Sequence, residues 1–186
     1  MKGNLKAHTE FWKKTLQVSN LIQSVIDDGY KIPFTSDTPS HFSAKNNRFS
    51  LDHQEFVDKA LMELLLNGCI EAVENEPYCC NPLTVAGAGE KLRLVLDLRH
   101  VNKYVRLNKF RHEDLRTLTE MFEQGDFFFT FDLKSGYHHI DIHKDSIKYL
   151  GFQWTFRNGR IRYFVFLVLP FGLNSASHIF TKVVRP

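Results

Sequence analysis

Asn158-Gly159 is the feature that most restricts the fold. The pair suits the left-handed positions of a tight hairpin turn, and it lies between two runs rich in aromatic and β-branched residues, Tyr149–Phe156 and Arg160–Leu169. Antiparallel sheet is therefore expected in the last third of the chain. A second hairpin is expected upstream. One strand lies near Pro82–Val85, the turn is Ala86-Gly87-Ala88-Gly89-Glu90, and the return strand is Leu92–Val101. On the return strand Leu92, Leu94, Leu96 and Leu98 share one face. Arg93, Val95, Asp97 and Arg99 share the other, so two arginines and an aspartate are aimed together at water or a ligand. Cys69–Val73 and Phe127–Leu133 read as further strands.

Helices are expected between these strands. Ser50 can cap a helix through about Asn67, in which Phe56, Val57, Ala60, Leu61, Leu64 and Leu65 make one apolar stripe and Gly68 is the stop. His112–Gln124 reads as a second amphipathic helix, with Leu115, Leu118, Met121 and Phe122 inward and Gly125 as its stop. A short helix with Phe11, Trp12 and Leu16 is expected within residues 1–20, a loop over residues 31–50, and a last helix from near Asn174. Antiparallel strands mixed with helices define the class as α+β.

Bulk properties exclude some classes. The 186 residues make one ordinary domain or a large piece of a bigger one. A formal charge of +3 permits nucleic-acid binding without arguing for it. Three cysteines, Cys69, Cys79 and Cys80, make no CxxC pair, so an intracellular location, cytoplasm or nucleus, is expected, with no secretion. No apolar run reaches the roughly 20 residues of a membrane span, and the N-terminus lacks an apolar signal core.

The chemistry concentrates at Phe131-Asp132-Leu133-Lys134-Ser135-Gly136-Tyr137. Asp132 follows a run of strand-forming aromatics, and a carboxylate buried there needs a metal or a cation. The plain alternative is a strand-end carboxylate satisfied by backbone N–H groups or by Lys134. Ser135-Gly136 lets backbone amides approach an anion, and Tyr137 supplies a flat wall. A second candidate is Leu169-Pro170-Phe171-Gly172-Leu173-Asn174-Ser175-Ala176, where a Pro and a Gly end an apolar strand and release a helix. Taken alone it is an ordinary strand–turn–helix connection. The third is the set Arg93, Asp97 and Arg99, which reads either as a solvated strand face or as a phosphate-contacting one. His138, His139 and His143 do not read as a zinc site: on a strand the first two point to opposite faces, and no Cys is near in sequence. Gly87-Ala88-Gly89-Glu90-Lys91 reads as a hairpin tip, since it lacks the third glycine of GxGxxG and the GK[ST] of a P-loop.

In this order the pieces resemble the fingers and front palm of a reverse transcriptase, an RNA-directed DNA polymerase of a retrotransposon, DIRS-like or gypsy-like. Phe131–Tyr137 is similar to the first catalytic palm motif, and Leu169–Leu173 with Ser175-Ala176 and Phe180 to the motif after it. Lys91–Arg99 followed by Val101-Asn102-Lys103 resembles the fingers strand, and Asn81-Pro82-Leu83 the start of its hairpin. Phe11-Trp12 through Gly29–Phe34 resembles the leader of DIRS-type elements. The resemblance implies a right-hand polymerase fold with a leader over 1–48, fingers over 49–126 and a partial palm over 127–186. It implies a primed RNA or DNA template and a dNTP as partners, with two Mg²⁺ ions, or Mn²⁺, as cofactors.

Residue by residue, the resemblance implies that Asp132 binds both metal ions with the Leu133 carbonyl as a further ligand. In such a site the ions lie about 3.5–4 Å apart and serve in-line displacement. Ser135 and Gly136 amides would meet the triphosphate, and Tyr137 would be the steric gate against a ribose 2′-hydroxyl. Arg93 and Lys91 would neutralise phosphate charge. Phe171 and Gly172 would pack near the incoming nucleotide and template base, while Asp97, Arg99 and Asn102 would hold the hairpin loop and template.

Some features depart from the family. The family's aromatic-X-Asp-Asp hairpin is expected beyond Gly172, and the sequence has no Asp or Glu after Asp145. Thumb and RNase H regions are not encoded in these residues either. The polypeptide alone is accordingly expected not to polymerise DNA, and a non-catalytic nucleic-acid-binding remnant is the alternative reading. Without that hairpin the Phe-rich palm strand is expected to leave an apolar face exposed. Ser177 stands where Pro is usual and is expected to loosen the last helix start. His139 stands where Gln is common, and Phe171 where retroviral enzymes often carry Gln.

Overall fold

The structure, a computed structural model, describes residues 2–89, 91–106, 123, 125–127 and 129–185. The chain opens with three helices, α1 (Asn4–Ala7), α2 (Thr9–Lys14) and α3 (Asn20–Asp28). Ile22, Val25 and Ile26 of α3 are buried, the three-and-four spacing of a helix with one apolar face. Its polar side is tied to α2: the Gln23 amide donates to Thr9 and Asp27, and the Thr9 hydroxyl donates to Asp27. Hydrogen bonding from Thr9 and then Gln23 holds the Asp27 carboxyl below the usual carboxylate range. No sequence expectation covered α3, and the single helix expected in residues 1–20 is two short ones.

The middle of the chain carries β1 (Phe42–Ser43), α4 (Arg48–Asp52), α5 (Gln54–Leu66), β2 (Ile70–Val73), β3 (Cys79–Cys80), β4 (Leu83–Ala86), β5 (Arg93–Leu96) and α6 (Arg99–Asn102). The helix expected from Ser50 to Asn67 is broken at His53, which leaves helical geometry at φ −112° and ψ 36°. Ser50 is no cap. It is buried inside α4, and its hydroxyl bonds back to the Asn47 carbonyl, the local competition with helix pairing that serine offers. The apolar stripe of α5 is as expected, with Val57 and Leu61 fully buried and Phe56, Leu64 and Leu65 packed on the core.

The last third holds a 3₁₀ turn (Gly136–His139), α7 (Lys144–Ile147), β6 (Gly151–Thr155), β7 (Ile161–Phe166) and α8 (Ala176–Val184). The hairpin around Asn158-Gly159 forms as expected: the Phe156 and Arg160 backbones pair, and Gly159 has φ +74°. The main sheet has the order β1-β3-β6-β7-β2. It is antiparallel from β6 through β7 to β2 and parallel from β1 through β3 to β6. These strands come from each of the three expected segments, 1–48, 49–126 and 127–186, so one sheet layer joins residues of all three. Strands β4 and β5 form a separate antiparallel pair with Leu83 opposite Leu96 and Ala86 opposite Arg93.

Phe152, Trp154 and Phe164 fill the centre of the core, and Trp154 donates its indole N–H to the Asp58 carboxylate at 2.7 Å. Cys79 and Cys80 lie fully buried on β3, and burial pushes their thiols up to about 11 and about 12. Both are inert thiols at neutral pH.

One expected strand does not form. Of Phe127–Leu133, the described residues belong to no strand and no helix. Phe127, Phe129 and Phe131 are 99%, 85% and 72% exposed. A strand is stable only when a neighbour takes up its N–H and C=O groups, and no described strand pairs with this one. The exposed apolar face was expected; the extended ladder was not found. The helix expected over His112–Gln124 falls outside the described residues save Glu123. Among the described residues, no helix is long and apolar enough to cross a membrane.

Candidate nucleotide and nucleic-acid site

The β4–β5 hairpin, α5 and the Ser135–His138 turn converge on a cleft of about 260 Å³. Arg93, Ser135, His138 and Phe171 line it, together with Phe56, Glu63, Asn67 and Cys69 from α5 and the start of β2. Residues far apart in sequence thus line one cleft.

Strand β5 brings Arg93 there. It pairs with Ala86, and its side chain is exposed. Lys91 is exposed beside it, where the turn closes through a Lys91 N–H bond to the Ala88 carbonyl. The alternating face ends at Leu96, not Val101. Asp97 turns its carboxylate back to the Arg99 amide, as aspartate does when it starts a turn, and the chain enters α6. The Arg99 guanidinium grips the same carboxylate, with Nη2 at 2.7 Å from Oδ2 and Nε at 2.9 Å from Oδ1. Asn47 donates a further bond to Asp97 at 3.3 Å. Bonding to Arg99 holds the Asp97 carboxyl below the usual carboxylate range against the opposing effect of burial. Asp97 and Arg99 therefore satisfy each other beside the hairpin and do not stand in a row with Arg93.

Asn102 braces the second motif. Its amide nitrogen donates to the Gly172 carbonyl at 2.8 Å, and its amide oxygen accepts from the Asn174 N–H at 3.0 Å. Both ends of that side chain are engaged in holding the turn. Gly172 lies against β5: the Leu96 N–H donates to the Phe171 carbonyl, and a Cβ on Gly172 would stand 2.0 Å from the Leu96 oxygen. Phe171 reaches the cleft because this turn is docked so closely.

Asp132 is exposed and belongs to no strand, so the buried carboxylate expected from its aromatic neighbours is not found. The Leu133 carbonyl accepts the Gly136 N–H at 3.1 Å. Of the two amides expected to meet phosphate, that of Gly136 is thus used internally, and that of Ser135 makes no bond among the described residues. Ser135 stands in the left-handed region at φ 55° and turns the chain into the 3₁₀ turn, so His138 and His139 are not on a strand. Tyr137 packs on Phe171 and Phe180, with ring centres 5.1 and 5.0 Å away, and its hydroxyl meets the Ser177 hydroxyl at 2.9 Å. Helix α8 begins at Ala176, and Ser177 is tied down, not loosened.

Sequence reasoning passed over two contributors. His138 enters the cleft against Phe171, with ring centres 5.7 Å apart. Burial, aided by the neighbouring His139 charge, lowers its pKa, so it is neutral at neutral pH. Ser177 reaches Tyr137, and its spacing of three from Phe180 on α8 was the available signal. Among the described residues, no group of three His, Cys, Asp or Glu side chains could hold a metal ion.

No family model matches the chain. Over 185 residues it is 27% identical to a putative enzymatic polyprotein of Cassava vein mosaic virus, covering 95% of this chain and 26% of that protein. It is 26% identical over 163 residues to the retrovirus-related Pol polyprotein from transposon opus of Drosophila melanogaster, covering 86% of this chain and 16% of the relative. The transposon 297 Pol polyprotein of the same organism is 25% identical over 180 residues, with 92% and 16% covered. Among solved structures, the foamy viral protease-reverse transcriptase in complex with an RNA/DNA hybrid superposes with a TM-score of 0.63 at 21% identity. That match covers 84% of this chain and 20% of that one. The native prototype foamy virus protein gives a TM-score of 0.60 at 20% identity, covering 83% and 20%. The chain thus spans about a quarter or less of the proteins it matches. In sequence the chain is similar to retrovirus-related Pol polyproteins of transposons and to a viral polyprotein, and its fold is like that of the foamy viral protease-reverse transcriptases.

Proposed function

We propose that the chain supplies the fingers and first palm motifs of an RNA-directed DNA polymerase, and that its cleft receives the triphosphate of a dNTP on a primed template. The observation that carries this reading is the meeting of Arg93, Ser135 and Phe171 in one cleft, although they come from three separate motifs. Among the lining residues Arg93 offers a guanidinium and Ser135 a backbone amide to phosphate oxygens, and the Phe171 ring offers a surface to a base or sugar. Lys91 adds charge at the rim. The polyprotein kinship supports a nucleic-acid partner, as does the RNA/DNA hybrid bound by the foamy viral protein. Arg99 and Asp97 would stiffen the hairpin that faces the template, and Asn102 would hold Phe171 and Gly172 at the nucleotide.

Magnesium fits these residues only in part. Asp132 and the Leu133 carbonyl are this chain's proposed ligands, but Asp132 is exposed and has no group of acidic side chains with it among the described residues, and one carboxylate does not hold two Mg²⁺ ions. Nucleotide binding is the property these residues can show. In an isothermal titration of dTTP with Mg²⁺ into the chain held on a poly-rA·oligo-dT hybrid, Arg93→Ala is expected to weaken nucleotide binding about tenfold, the worth of a charge-assisted hydrogen bond. An unchanged affinity would remove Arg93 from the site. Hybrid binding without any dTTP binding would favour the non-catalytic nucleic-acid binder instead.

A further inference from the structure

We infer that Ser177 is a positioning residue: its hydroxyl fixes the Tyr137 ring and thereby sets how well the site separates a dNTP from an rNTP. The inference rests on the proposed nucleotide cleft and on the role that the resemblance implies for Tyr137, a wall beside the sugar; Tyr137 adjoins that cleft through its contact with Phe171. Among the described residues, Tyr137 has two ring contacts, Phe171 at an interplanar angle of 32° and Phe180 at 62°. Aromatic contacts of this kind are broad in angle and let a ring slide or tilt. The third point is directional. The Tyr137 hydroxyl lies 2.9 Å from the Ser177 hydroxyl across 40 residues of sequence.

Three features make this a built arrangement. Ser177 and Phe180 lie three apart on α8, so one helix face supplies both the hydrogen bond and the edge contact. Ser177 is half-buried and its side chain is short, which leaves the hydroxyl little freedom. Gly136 removes the obstacle to this packing, because a Cβ there would stand 2.7 Å from the Phe180 ring. A steric wall discriminates a hydroxyl from a hydrogen by tenths of an ångström, so a fixed ring separates the two sugars better than a sliding one. A proline at this position could not make the bond, having no hydroxyl.

The test combines a position readout with a specificity readout on the full chain. The six tyrosines are replaced biosynthetically by 3-fluorotyrosine, and the Tyr137 fluorine resonance is assigned by its loss in Tyr137→Phe. Ser177→Ala is expected to shift that resonance, and Ser177→Thr to return it. Over a poly-rA·oligo-dT hybrid, the preference for dUTP over UTP is expected to fall about fivefold in Ser177→Ala, the factor one neutral hydrogen bond is worth, and to recover in Ser177→Thr. A Tyr137 resonance unmoved by Ser177→Ala overturns the inference, and so does a moved resonance with an unchanged preference. If the unaltered chain binds dUTP and UTP equally, the gate reading of Tyr137 fails and the specificity claim with it, while the fluorine shift still decides whether Ser177 positions the ring.

Discussion

Gly172→Ala is expected to destabilise the fold by about 3–5 kcal/mol, because it combines backbone strain with a clash that no rotamer relieves. Gly172 has φ +113°, a conformation that L side chains rarely adopt. The added Cβ would meet the Leu96 carbonyl oxygen at 2.0 Å, and both atoms belong to backbone that is held in place. The Leu96 N–H is bonded to the Phe171 carbonyl, and Asn102 clamps the turn from the other side. Relief therefore requires undocking the turn from β5, which carries Phe171 out of the cleft. Urea unfolding measures the loss. A midpoint within error of the unaltered protein would mean that the turn is not docked on β5.

Asn81→Asp is the second large effect. Asn81 is fully buried at the end of β3, and its amide nitrogen lies 3.0 Å from each of the Tyr149 and Gly151 carbonyls and 3.3 Å from that of Cys79. The pairing of β3 with β6 is a single residue pair, Cys80 with Gly151, so this side chain does much of the stitching. A carboxylate there would face carbonyl oxygens with no donor of its own, and the expected cost is about 3–5 kcal/mol. Burial raises the folded-state pKa of such a carboxyl above its unfolded value, so the deficit grows as pH rises through the unfolded value towards the folded one. It narrows at acid pH, where a protonated carboxyl can donate as the amide does. Thermal unfolding at acid and at neutral pH reads both features. Equal deficits at the two would show that the new carboxyl is not buried among carbonyls.

The sequence carried the local rules well and the long-range ones poorly. The hairpin around Asn158-Gly159, the stripe of α5 and the stop at Gly68 follow from turn chemistry and periodicity that act over a few residues. The break at His53, where the His53 ring bonds to the Phe49 carbonyl, and the Ser50 hydroxyl bond to the Asn47 carbonyl in place of a cap are local side-chain choices that periodicity does not register. The end of β5 at Leu96 came from Asp97 turning onto Arg99, a competition that alternation alone does not register. Phe127–Phe131 has strong strand propensity, but a strand is completed by its neighbour, and none is present among the described residues. For the candidate site, residue types and motif order singled out Arg93, Ser135, Tyr137 and Phe171, of which Arg93, Ser135 and Phe171 line the cleft and Tyr137 packs on Phe171. Their convergence, and the clamping by Asn102 and Ser177, depend on side-chain reach across the fold and were not legible beforehand.

The central claim is that Lys91 and Arg93 present cationic charge to the triphosphate of a nucleotide at the cleft. The most direct measurement is fluorescence anisotropy of a fluorescent dTTP analogue, with Mg²⁺, against the purified chain held on a poly-rA·oligo-dT hybrid, at low and at physiological salt. The account predicts that nucleotide affinity falls as salt rises, because salt screens exposed charges from one another. Replacing Lys91 and Arg93 by alanine is expected to weaken nucleotide binding by about tenfold or more and to flatten its salt dependence. Nucleotide binding that does not respond to salt, or an affinity untouched by those two replacements, would contradict it.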